Sequence, residues 1–174
     1  IRKAARNPEK FKQTLSRQVV SAALPNAKLL DHTVIQVDRV DEPARIRMRL
    51  SAESATRREG GSMRMKVPID WSPASWFVLS ERRYPLILGS PRKMSWSVEL
   101  EVPKGGRILR VPSSAQLETE CLSFQRSVRK AKGRVFVSQD VAIKCERITV
   151  DRYDAHRTLA AKILNALDEE IVMK

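Results

Sequence analysis

This chain is short of the side chains that most reaction chemistry uses. Its 174 residues hold two histidines (His32 and His156) and two cysteines (Cys121 and Cys145). No CxxC, HxxxH or glycine-rich phosphate loop can be built from them, so metal and nucleotide sites of the usual kinds have no motif and no cofactor is expected. No apolar run approaches the ~20 residues that a membrane-crossing helix needs, and no signal-peptide pattern is visible. Aromatic residues are 5% of the chain. Acidic residues number 20 against 33 Lys and Arg, leaving a formal net charge of +13. The chain opens on Ile1 rather than Met, which reads as a fragment of a longer protein from which a targeting segment has been cut.

What is present belongs to a folded domain. Composition, at 42% hydrophobic and 30% charged, is globular rather than disordered. The clearest patterning runs from Arg82 to Cys145. Met94, Trp96, Val98, Leu100 and Val102 alternate with Lys93, Ser95, Ser97, Glu99 and Glu101, which predicts a strand with one apolar and one polar face. Pro103, Gly105 and Gly106 end it. A second strand is predicted over 117–128, with Leu122, Phe124 and Val128 on one face. A third spans 134–147, with Val135, Val137, Val141, Ile143 and Cys145 together. The polar stretch 129–133 between them reads as a hairpin turn.

Upstream, Asn7 and Pro8 suit the start of a helix whose stripe is Phe11, Leu15, Val19 and Ala22, ending at Leu24-Pro25. Its early bases, Arg2, Lys3, Arg6, Lys10, Lys12 and Arg17, suit a solvated linking face or a dock for an acidic partner. Strands are expected over 33–40, 44–53 and around Met63, Met65 and Val67, with turns at 41–43 and 56–62. Trp71, Trp76 and Phe77 plug a sheet edge, or mark a binding loop. Asp151 is placed to cap a last helix with Tyr153, His156, Ala160, Ile163, Leu164 and Leu167 on its stripe, and Ile171 to Met173 form a terminal strand. The fold class is therefore mainly β, an antiparallel β-sandwich with an N-terminal and a C-terminal helix. Residues 1–25 read as a linking helix and 26–174 as the sandwich domain, divisible into halves at 26–80 and 81–174.

Candidate chemistry is thin. His156 falls on a buried helical stripe and reads as a core histidine. Cys121 sits in a strand, away from any helix N-terminus that would activate it. With the turn centred near Ala131 and Lys132, Cys121 faces Val141 or Ala142; Cys145 lies beyond, and bridging needs Cα atoms within ~7 Å. That register weighs against a Cys121–Cys145 disulfide. The most functional-looking feature is a set of bases alternating with apolar residues: Arg45, Arg47 and Arg49, then Arg64 and Lys66. Paired as a hairpin, these five would share one exposed face, where like charges repel and call for an acidic neighbour or a bound anion. Counterion release makes nucleic acid or another anionic polymer a candidate partner. No helix-turn-helix, zinc finger or stacking sheet accompanies the charge, so nucleic acid is the weaker alternative.

The stretch Arg83, Pro85-Leu86, Leu88-Gly89 and Pro91, followed by the Val102-Pro103-Lys104-Gly105 turn, the Val111-Pro112 step, Arg147-Ile148 and Tyr153, resembles a bacterial module. It is similar to the C-terminal domain of unknown function of transglutaminase-like proteins, in which an N-terminal β domain and a papain-like core come first. Leu24-Pro25-Asn26-Ala27 resembles the segment joining that core to the module. The resemblance implies a β-sandwich, a periplasmic or other cell-envelope location, and a non-catalytic accessory role beside the core. An envelope protein or an anionic polymer is a further expected partner. The catalytic Cys, His and Asp would precede Ile1, so no position here inherits them.

Overall fold

Asn7 and Pro8 start the first helix as their chemistry favours. Asn7 Oδ1 accepts a hydrogen bond from the Lys10 amide at 3.2 Å, and Pro8 needs no partner for an N–H it lacks, in helix α1 (Pro8–Thr14). The computed structural model describes residues 7–21, 24, 27–36, 42–52, 55–69, 71–102 and 105–174, without the side chains of Pro8 and Gln18. Expectations resting on Arg2, Lys3, Arg6, Ala22, Pro25, Asn26, Val40, Asp41, Glu53, Pro103 and Lys104 lie outside the described residues. The chain divides into two units, residues 1–57 and 58–174. The boundaries expected near residues 25 and 80 fall within them.

In the first unit α1 runs into a π-helical stretch, Leu15–Val20. The wider turn shifts the buried stripe. Phe11 and Leu15 are buried four residues apart; the next buried residue is Val20, five further on, and then Leu24. Val19, expected on that stripe, is only half-buried. Strand β1 (Lys28–Ile35) pairs antiparallel with β2 (Arg45–Ser51), Thr33 opposite Arg47. The first strand therefore begins and ends about five residues before the expected 33–40. A register shift between Leu29 and Asp31 spoils the alternation at its start, and Gln36, with φ 61°, turns the chain out of the extended region at its end.

Among the described residues, ten strands and a helix follow from Arg57 onward: β3 (Arg57–Glu59), β4 (Ser62–Lys66), β5 (Leu86–Ile87), β6 (Arg92–Glu101), β7 (Ile108–Arg110), β8 (Ala115–Glu118), β9 (Leu122–Ala131), β10 (Arg134–Ile143), β11 (Arg147–Ile148), α2 (Tyr153–Asp168) and β12 (Glu170–Met173). Two four-stranded sheets form, in the orders β6-β10-β9-β8 and β3-β4-β12-β7, with β5 and β11 as a short separate pair. Every pairing with a resolved register is antiparallel, as the alternating sequence implied.

The expected 117–128 strand is two strands. Thr119 breaks it: its amide bonds to the Leu122 carbonyl at 2.8 Å and its hydroxyl accepts from the Leu122 amide at 3.2 Å, folding β8 back on β9 with Gln116 opposite Gln125. The third strand ends at Ile143 rather than Arg147. The β9–β10 turn is the two-residue Lys132-Gly133, both at positive φ (46° and 75°). That is the hairpin geometry matching the twist of the flanking strands.

One face of the first sheet is the core. Leu122 and Phe124 of β9 and Val135, Val137, Val141 and Ile143 of β10 are buried; Met94, Trp96, Val98 and Leu100 of β6 are half-buried beside them. Tyr153, Leu159 and Ile163 of α2 join the same cluster, as do the partly buried Trp71, Trp76 and Phe77, which act as a plug. Asp151 does not cap α2. It lies in a 3₁₀ turn, Val150–Arg152, leading into the helix, and α2 starts without a side-chain cap.

Buried polar side chains among the described residues are Arg126, Gln139 and, on α2, His156. Arg126 and Gln139 face each other on β9 and β10 at the parity of the buried apolar side chains, and both are buried. Arg126 spans to the end of α2. Its Nε donates to the Ser113 carbonyl at 2.9 Å, Nη1 donates to the Ala166 carbonyl, and Nη2 pairs with the Glu169 carboxylate, which also accepts from the Ser113 amide at 2.8 Å. Ala166 lies in the last turn of α2, where its carbonyl also accepts from the Glu169 amide at 3.3 Å and a cation is favoured. Gln139 Nε2, by contrast, is buried with no hydrogen-bond partner.

Two substitutions test this packing. Ile163 is 0% exposed, so Ile163→Ala should lower stability by about 3 kcal/mol in urea unfolding; a loss below ~1 kcal/mol would contradict the burial. Arg126→Met keeps the apolar stem but removes the guanidinium's bonds to the Ser113 and Ala166 carbonyls and to the Glu169 carboxylate. It should lower stability by ~2 kcal/mol, and Glu169→Gln by less, because that carboxylate is partly exposed. Equal losses would mean the ion pair, rather than the helix-end bond, dominates.

Candidate functional site

The five bases singled out in sequence do not form one hairpin face. β2 pairs with β1, and β4 pairs with β12. Arg45, Arg47 and Arg49 belong to the first unit and Arg64 and Lys66 to the second. The first three do share an exposed strand face, where Asp31 stands opposite Arg49 and Thr33 opposite Arg47. The last two are matched by acids: Arg64 with Glu59 and Glu170, Lys66 with Asp168 at 2.5 Å. The repulsion that a shared face would have created is removed by separate pairing partners.

Cys121 and Cys145 form a disulfide, with Cα atoms 4.8 Å apart. The expected register was short. Ala131 faces Arg134, so the turn lies one residue later than Ala131-Lys132, and each facing position moves by two. The Lys144 amide then donates to the Cys121 carbonyl at 2.8 Å, and Cys145 comes next along the chain. Both sulfurs are thereby covalently engaged, and neither is a thiolate nucleophile in this state.

His156 is 2% exposed, on the buried stripe where the sequence put it. It is not a neutral filler. Its Nδ1 lies 2.8 Å from the Arg152 carbonyl, and Nε2 is buried without a partner. A carbonyl only accepts, so Nδ1 carries the hydrogen, and in the neutral ring Nε2 then presents a lone pair. A ring nitrogen of His156, the Cys121 sulfur and a Glu120 carboxylate oxygen lie within 4.8 Å of one another. Arg152 pairs with Glu120 through its side chain, so one residue orients both the acid and the imidazole. These groups come from two loops and a helix, and no linear spacing reveals them.

A second feature is apolar. Val78, Leu79, Tyr84 and Ile87 are 77%, 52%, 80% and 68% exposed. The segment is fixed to the core below it. Tyr153 donates its hydroxyl to the Leu79 carbonyl at 2.8 Å, Phe77 stacks on the Tyr153 ring at 5.7 Å, and the Arg82 guanidinium lies 5.5 Å from that ring's centre. β5 then pairs with β11, Ile87 opposite Arg147. These four lie within ten residues of the chain, and pattern reading centred on buried positions passed over them. Among the described residues no helix is long and apolar enough to cross a membrane.

No protein of curated function matches the chain in sequence. In three dimensions it is similar to a solved structure described as "a putative protease from Parabacteroides distasonis ATCC 8503", with a TM-score of 0.53 and 14% identity. The likeness covers 64% of this chain and 23% of that one, and at this identity it speaks to fold alone. Residues 66–173, nearly all of the second unit, match the family described as "Domain of Unknown Function with solved-structure structure (DUF3858)". The chain belongs to that DUF3858 family.

Proposed function

We propose that this chain is a non-catalytic accessory segment of a larger bacterial envelope protein of transglutaminase-like or peptidase-like kind. Its second unit would dock on the remainder of that protein through the apolar strip at residues 78–87. The carrying observation is the exposure of Val78, Tyr84 and Ile87 at 77%, 80% and 68% on a rigidly anchored segment. Several large, exposed apolar side chains within one short anchored segment suit an interaction site. The occupant this reading favours is the parent's own remaining chain, because this chain covers only 23% of the structure it is similar to. Arg82 and Arg83 lie within the strip, so the facing surface should carry acidic groups. The Cys121–Cys145 disulfide supports an oxidising compartment such as the periplasm.

A basic module for nucleic acid or another anionic polymer is the competing reading, motivated by the net charge of +13. It is less favoured because Arg64, Lys66, Arg134, Lys144, Arg152 and Arg157 each face a carboxylate, and Arg126 is buried.

The Tyr84→Asp/Ile87→Asp double variant separates these readings. Titrated calorimetrically against the separately expressed remainder of the parent, it should bind at least about tenfold more weakly than the wild type. Its thermal midpoint should be unchanged, since both side chains are exposed. Undiminished affinity would reject this surface. Oligonucleotide binding that weakens steeply with salt would favour the competing reading.

A further inference from the structure

The surroundings of the disulfide carry a second function. We infer that reduction of Cys121–Cys145 converts this corner of the second unit into a site for a tetrahedral divalent cation, Zn²⁺ by preference, ligated by Cys121, Cys145 and His156 with Glu120 as fourth ligand. The ligand atoms are already gathered. The Cys121 sulfur, a His156 ring nitrogen and a Glu120 oxygen lie within 4.8 Å of one another, and the Cys145 sulfur is bonded to the first. In a tetrahedral zinc site two thiolate sulfurs stand ~3.8 Å apart, as Zn–S bonds of ~2.3 Å require. Cleaving the S–S bond lets them open to that spacing with their Cα atoms at 4.8 Å.

The independent sign is the histidine. A metal-bound imidazole characteristically donates its other ring N–H to a carbonyl or carboxylate. His156 does so, from Nδ1 to the Arg152 carbonyl, which leaves Nε2 buried and unpartnered, a lone pair for a cation when the ring is neutral. Leaving a buried polar atom unpaired disfavours folding; a cation would remove that penalty. Arg152 holds Oε2 of Glu120, and a carboxylate has a second oxygen with which to bind a cation. Two sulfurs, one imidazole and one carboxylate suit zinc over harder cations.

The chemistry balances simply. A dithiol reductant passes two electrons and two protons to the S–S bond and becomes its own disulfide. The two thiols then release two protons to solvent as the cation binds. Oxidation reverses both steps and expels the metal, so the corner alternates between a covalent and a coordinate cross-link.

Co²⁺ is the probe. The full chain is reduced with a trialkylphosphine, freed of it by anaerobic gel filtration and titrated with Co²⁺. The expected result is one equivalent bound, with the visible bands of tetrahedral cobalt and a near-ultraviolet thiolate-to-cobalt band. The oxidised chain should show neither. His156→Gln should weaken binding at least about tenfold, and Cys145→Ser should diminish the thiolate band. Should the reduced chain lose structure, circular dichroism during the titration decides: refolding on Co²⁺ supports the site, and a chain that stays unfolded overturns it. Reduced, folded protein without tetrahedral bands overturns it too, as does a spectrum and affinity unaltered by His156→Gln.

Discussion

The second unit depends on one packing event: helix α2 lying on the apolar face of the sheet β6-β10-β9-β8. That face cannot be left in water. Leu122, Phe124, Val141 and Ile143 are all at most 2% exposed, and α2 supplies Tyr153, Leu159 and Ile163 to the same cluster. Burial of this kind is non-directional, so it does not by itself say where along the sheet the helix should stop. Polar contacts at its two ends do. Arg126 grips the final turn through the Ala166 carbonyl. At the other end the Tyr153 hydroxyl bonds Leu79, and Arg152 pairs with Glu120 beside the disulfide. Strand β12 follows α2 directly and pairs with both β4 and β7. Placing the helix therefore places the centre of the second sheet.

Much of this was legible in the residues. Period-two alternation located β6 and the inward faces of β9 and β10, because a half-buried antiparallel strand leaves a clean binary pattern. The stripe of α2 and the terminal strand were equally plain. Sequence failed where a discrete local choice controls a distant one. A hairpin turn one residue later moves every facing pair by two, and that alone separates an unbridged Cys121 from a disulfide with Cys145. The π-helical stretch likewise moved the buried stripe of the first helix from Val19 to Val20. Arg126 and Gln139 were hidden for another reason: pattern reading weighs the apolar members of a face and passes over a polar one sharing their parity.

The candidate surfaces follow the same division. The arginines of β2 were correctly placed on one exposed strand face, yet their supposed companions Arg64 and Lys66 belong to a different sheet and have their own acidic partners. Grouping by charge assumed a strand pairing that charge cannot determine. Positions of interest in the fold are instead irregular ones. The strip at 78–87 precedes a two-residue strand, and the Glu120–Cys121–His156 corner is assembled from a turn and a helix face. Neither has the periodicity that makes a sequence readable, and both are positioned by elements that do.

Native-state hydrogen exchange measures the central dependence most directly. If α2 and the sheet are one cooperative unit, the amides of Leu159 to Ile163 should share the opening free energy of the slowest amides in β9 and β10. Exchange of those helix amides through a much cheaper opening, while the strands stay protected, would show that the sheet stands without its helix and would contradict the account.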